Sequence, residues 1–87
     1  MKITFANEES FNDYYEWAAN DKKIARKIMA LIKDIKRSPF RGLGKPEPLK
    51  YELAGYWSRE ITEEHRLVYR VQNETIEILS CKYHYKK

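Results

Sequence analysis

The sequence predicts an α+β domain in which two N-terminal helices pack on one face of a small, mainly antiparallel, twisted sheet. Three observations predict it. Ile24, Ile28, Leu31, Ile32 and Ile35 recur at helical spacing through a long run without Gly or Pro. Before that run, Phe11, Tyr14, Tyr15 and Ala18 repeat the same spacing in a shorter segment. From Leu49 onward the pattern changes to short runs rich in β-branched and aromatic residues, separated by turn signals. The helices have one apolar stripe each and only the sheet to bury it against, so one sheet face is covered and the other stays available.

In chain order, Lys2 to Ala6 reads as a strand, followed by Asn7 as a helix N-cap with Glu8 and Glu9 in the first turn. Helix one is expected over about residues 8–19, with Trp17 off its stripe as a cover for the sheet edge. Asp21 caps helix two, whose outer face carries Lys22, Lys23, Arg26, Lys27, Lys33, Lys36 and Arg37. That helix ends before Ser38-Pro39. A stiff loop punctuated by Gly42, Gly44, Pro46 and Pro48 leads to strands at Tyr51–Leu53, Tyr56–Thr62, His65–Gln72 and Thr75–Tyr85, with a turn at Asn73-Glu74.

The 87 residues make one domain, 1–87, burying roughly 60–65% of its unfolded surface. A thin core of this kind favours chemistry on a shallow groove. A net charge of +4 points to an anionic partner. Cys81 excludes an internal disulfide and reads as a small buried residue of the last strand. The N-terminal apolar stretch stops at Asn7-Glu8-Glu9, and no later segment has the length to span a bilayer, so a cytoplasmic protein is expected.

Cleaving RNA without a metal or other cofactor takes a base for the ribose 2′-hydroxyl, a cation for the phosphate and an acid for the leaving 5′-oxygen. Glu47, held between two prolines, Arg66 at the head of a strand, and His84 near the C-terminus supply these groups. Each also has a plainer reading: Glu47 as a balance to Arg41, Lys45 and Lys50, and Arg66 as solvated surface. His84 alternates with Tyr83 and Tyr85, so a regular strand does not turn all three toward one ligand. His65 shares a face with Leu67 and Tyr69 and is expected to be structural. Glu63 and Glu64 point to opposite sides and make a poor metal cage.

Gly44-Lys45-Pro46-Glu47-Pro48-Leu49, Tyr56-Trp57-Ser58-Arg59, Glu63-Glu64-His65-Arg66-Leu67-Val68-Tyr69 and Tyr83-His84-Tyr85 together resemble the YoeB toxins of the RelE-type superfamily, over nearly the whole chain. The resemblance implies the RelE-like microbial RNase fold. It also implies the toxin of a type II toxin-antitoxin pair, a ribosome-dependent mRNA interferase cutting A-site message. In such toxins the positions of Glu47, Arg66 and His84 serve as base, phosphate stabiliser and acid. Tyr85 belongs to the same site, and Lys50 and Arg59 are assigned to the RNA- or ribosome-facing surface. A YefM-like antitoxin and a homodimer are the implied partners. Glu60 departs from the family, where a second arginine usually follows Trp-Ser-Arg, and Lys86-Lys87 extend beyond the usual ending. Two other functions fit the same fold: a non-catalytic ParE-like inhibitor and a simple RNA-binding module.

Overall fold

Asn7 starts the first helix by a reciprocal cap: its Oδ1 accepts from the Ser10 N–H at 2.8 Å, and Ser10 Oγ accepts from the Asn7 N–H at 3.4 Å. In the computed structural model, which describes residues 1–83, this helix, α1, spans Glu8–Asn20 after a first strand β1, Lys2–Phe5. Asp21 accepts from the Ile24 N–H at 3.2 Å and opens α2, Lys22–Arg37. Four further strands follow: β2 Glu47–Pro48, β3 Trp57–Glu60, β4 Arg66–Gln72 and β5 Thr75–Ser80. No helix among the described residues is long and apolar enough to cross a membrane.

The sheet order is β1-β5-β4-β3-β2, with β1 parallel to β5 and every other pair antiparallel. Asn73 and Glu74 both take positive φ, 53° and 60°, as a two-residue hairpin with the right twist demands. The helices cover one sheet face. Ile28, Leu31, Ile32 and Ile35 of α2 meet Leu67, Tyr69, Ile76 and Ile78 in the core, each buried aliphatic contributing on the order of 2 kcal/mol.

Three expectations are corrected. The buried side of α1 is not Phe11-Tyr14-Tyr15-Ala18: Phe11 is 49% and Tyr15 65% exposed, while Ser10 is buried and Trp17 packs on the core. The helix is rotated so that Ser10, Tyr14 and Trp17 face inward. Tyr51–Leu53 forms a 3-10 turn rather than a strand, because Tyr51 takes a φ of 59° and leaves the extended region. The strand pairing moves upstream to Glu47–Pro48, an edge position where a proline costs no ladder bond. Finally, β5 stops at Ser80.

Register decides which side chains share the open face. Glu47 pairs with Ser58, and Ser58 with Val68, so these three align across β2, β3 and β4. One step along, Glu60 stands opposite Arg66, and at the other end Arg70 stands opposite Glu77. Trp57, Arg59, Leu67 and Tyr69 turn toward the helices.

Candidate catalytic site on the open sheet face

Arg66 begins β4 directly after the tight turn 61–65, in which Thr62 Oγ1 accepts from the N–H groups of Glu64 and His65 at 3.2 and 3.1 Å. That curl turns three carbonyls inward. Arg66 Nη1 donates to the carbonyl oxygens of Thr62, Glu63 and His65 at 2.8, 3.0 and 3.2 Å, and Nη2 lies 3.7 Å from Glu60 Oε2. Its side chain keeps 18% exposure, so the guanidinium is held by backbone yet reachable. A planar fork fixed in this way suits phosphate oxygens.

Glu47 sits on the same face, two strand spacings from β4, which is about 10 Å between backbones. Its carboxylate is exposed, and among the described residues no cation comes within ion-pair distance of it, so Arg41, Lys45 and Lys50 do not hold it as expected. Lys50 is exposed at the head of the 3-10 turn, where its carbonyl accepts from the Leu53 N–H at 3.1 Å.

His65 is structural, as its face predicts. It is buried, rests edge-on against Trp17 at 4.9 Å, and its Nδ1 accepts from the Tyr83 N–H at 2.7 Å. Since Nδ1 is the acceptor, a neutral ring carries its proton on Nε2. The Arg66 N–H donates to the Tyr83 carbonyl at 3.1 Å, and Trp17 Nε1 donates to the Cys81 carbonyl at 2.9 Å. The segment after β5 is thereby tied to the head of β4, with Tyr83 in the left-handed region at φ 60°. His84 and Tyr85 lie outside the described residues.

Arg59 is corrected. It is not on an RNA- or ribosome-facing surface: it is fully buried, and all three nitrogens of its guanidinium are engaged. Nε donates to Tyr69 Oη at 3.1 Å, Nη1 to Asp34 Oδ2 at 2.7 Å and the Leu43 carbonyl at 3.1 Å, and Nη2 to the carbonyls of Ser38 and Arg41 at 2.7 and 3.0 Å. Asp34 Oδ2 also accepts from the Leu43 N–H at 2.9 Å, and these contacts, Leu43 first and Arg59 next, hold its carboxyl below the usual value. The hub fastens the loop that delivers Glu47. Gly44 completes it, because at φ 80° a side chain there would crowd Arg59, Leu31 and the Glu60 carbonyl, each 3.0 Å from the Cβ position.

The description "YoeB-like toxin of bacterial type II toxin-antitoxin system" matches residues 5–85. The chain belongs to that family. Toxin YoeB of Escherichia coli K12 is 56% identical over 85 residues, covering 98% of this chain and all of its own. A YoeB/ParE toxin from Agrobacterium tumefaciens superposes with a TM-score of 0.93 at 49% identity, over 98% of this chain and 100% of that one. A Staphylococcus aureus YoeB, solved in a complex with YefM and as a dimer, gives TM-scores of 0.91 and 0.89 at 50% and 51% identity, over 98% of both chains.

In this YoeB-like toxin a groove of about 520 Å³, lined by Tyr14, Lys22, Met29 and Lys33 among others, lies between the helices on the side away from Arg66. The groove and the candidate chemistry are therefore separate. Asp34 carries a sequence signal of its own. It falls three residues after Leu31 and one before Ile35, on the apolar stripe of α2, and an acid in that position signals a buried partner. The matching cation was legible too, since alternation from Trp57 turns Arg59 to the helix side.

Proposed function

We propose that this toxin is a metal-independent endoribonuclease that cuts messenger RNA in the ribosomal A site. Glu47 takes the proton of the ribose 2′-hydroxyl, and the 2′-oxygen attacks the adjacent phosphorus. Arg66 balances the charge that grows on the non-bridging oxygens. His84, in its cationic form, donates a proton to the departing 5′-oxygen, leaving a 2′,3′-cyclic phosphate and a 5′-hydroxyl. Tyr85 belongs to the same site, and exposed Lys50 extends the cationic path for the RNA.

The observation that carries this reading is the backbone-held Arg66 fork on the face it shares with the exposed Glu47 carboxylate. A second observation supports it. Lys45, Tyr51 and Tyr83 take φ values of 54°, 59° and 60°, each next to or near a candidate group, Glu47, Lys50 and His84. Such conformations cost roughly 1 kcal/mol or more and gather where function requires a set geometry. The exposed basic face of α2 suits ribosomal RNA. The Staphylococcus aureus complex and dimer support a YefM-like antitoxin and self-association as partners.

Primer extension on message from cells expressing the toxin tests the assignment. E47Q and H84Q should each reduce cleavage roughly 10²- to 10⁴-fold while leaving thermal unfolding unchanged. Cleavage within tenfold of the parent in both variants would contradict it, and intact message accompanied by DNA damage would favour the ParE-like alternative.

A further inference from the structure

Glu60 faces Arg66, the cation to which the proposed chemistry gives the phosphate charge. It stands directly opposite Arg66 across β3 and β4, so register rather than a chance rotamer brings the two together on the open face. Its backbone is fixed as well, since the Glu60 N–H donates to the Gly44 carbonyl at 2.7 Å. Arg66 Nη1 has two hydrogens and three carbonyl acceptors, which leaves it nothing for a ligand. An incoming phosphate must therefore meet the Nη2 edge, the edge that Glu60 Oε2 approaches to 3.7 Å. At that distance the contact is electrostatic and too long for a hydrogen bond. The Glu60 side chain is 40% exposed, so it can swing into solvent at little cost.

We propose that Glu60 is a displaceable internal counter-ion for Arg66, competing with the RNA phosphate for the Nη2 edge. The proposal rests on the phosphate role of Arg66 given above. Its consequence is selective. A loosely held phosphodiester in free RNA has to displace the carboxylate with few other contacts to help. A message held in place by the ribosome arrives with its position already set, and the charge that builds in the transition state competes with Glu60 more strongly than the ground state does. Glu60 thus lowers affinity for loose RNA more than it lowers turnover on the positioned substrate.

The test is a binding cycle with a short single-stranded RNA carrying 2′-O-methyl groups throughout, which 2′-oxygen attack cannot cleave. Parent, E60Q, R66Q and the double variant are titrated at low salt. E60Q should tighten binding about two- to fivefold where Arg66 is present. It should change binding little in the R66Q background, and the salt dependence should steepen by about 0.7 in log–log slope. E60A, which removes the carboxylate without adding an amide, should reproduce the gain. Equal gains in both backgrounds would reduce Glu60 to diffuse surface charge and overturn the proposal, as would no gain or no binding by any of the four proteins. Ribosomal cleavage is scored separately. A coupled cycle without cleavage overturns the nuclease reading and leaves the counter-ion role standing, whereas cleavage with an uncoupled cycle does the reverse.

Discussion

Arg59 and Arg66 stand on paired strands, and the face each one points to decides its use. Arg59 turns to the helix side, where burial demands a partner for every donor, and Asp34, Tyr69 and three loop carbonyls supply them. Arg66 turns to the open side, where backbone carbonyls hold one nitrogen and the other edge stays reachable. The Asp34 pair gives the fold a pH dependence with a definite sign. The Asp34 carboxyl lies below its ordinary value of 3.8 in the folded chain, so the unfolded chain binds that proton more readily. Its stabilising effect is complete above that value and is lost as pH falls through the folded pKa. D34N should lower the melting temperature at neutral pH, and the gap to the parent should hold steady down to about pH 5 and shrink below about pH 4. A gap that stays constant into strong acid would contradict the assignment.

Among the elements, α2 was the most legible, because its isoleucines and Leu31 recur with one period and nothing on the other face competes. In α1 the aromatic residues occur all around the helix, so hydropathy could not choose between Tyr15 and Trp17. The reciprocal cap and the Trp17 bond to the Cys81 carbonyl decide in favour of Trp17. The parallel pairing of β1 with β5 joins the two ends of the described fold, and no local pattern announces a contact of that range. Sequence spacing also carried the last strand too far. After Ser80 the chain turns, held through Trp17, His65 and the Arg66 backbone, and Tyr83 leaves the extended region. Tyr83 accordingly does not follow strand alternation. Cys81 lies inside this anchored segment, buried as its sequence context suggested, and burial pushes its thiol up to about 12. A soluble thiol reagent at mildly alkaline pH should leave the folded toxin unlabelled and modify Cys81 on unfolding in denaturant. Rapid stoichiometric labelling of the folded protein would show that the segment is not anchored.

At the scale of the molecule, the sheet divides the labour. One face is packed against two helices and holds the Arg59 hub, and the other presents Glu47, Glu60 and Arg66 to solvent. The family's motifs were readable as words in the sequence, and strand alternation sends the neighbours Arg59 and Glu60 to opposite faces, but which of those faces the helices cover is fixed only by the packing of α2. The fold and the YoeB-like membership follow from the whole chain; the proposed chemistry depends on a few atoms of the open face. The central claim is that this face cleaves RNA through the ribose 2′-hydroxyl. The most direct measurement compares ribosome-bound messages that differ only by a single 2′-deoxy substitution at the cleavage position. The all-ribose message should be cut to a 2′,3′-cyclic phosphate end while the substituted message survives intact. Cutting of both at the same rate would contradict it.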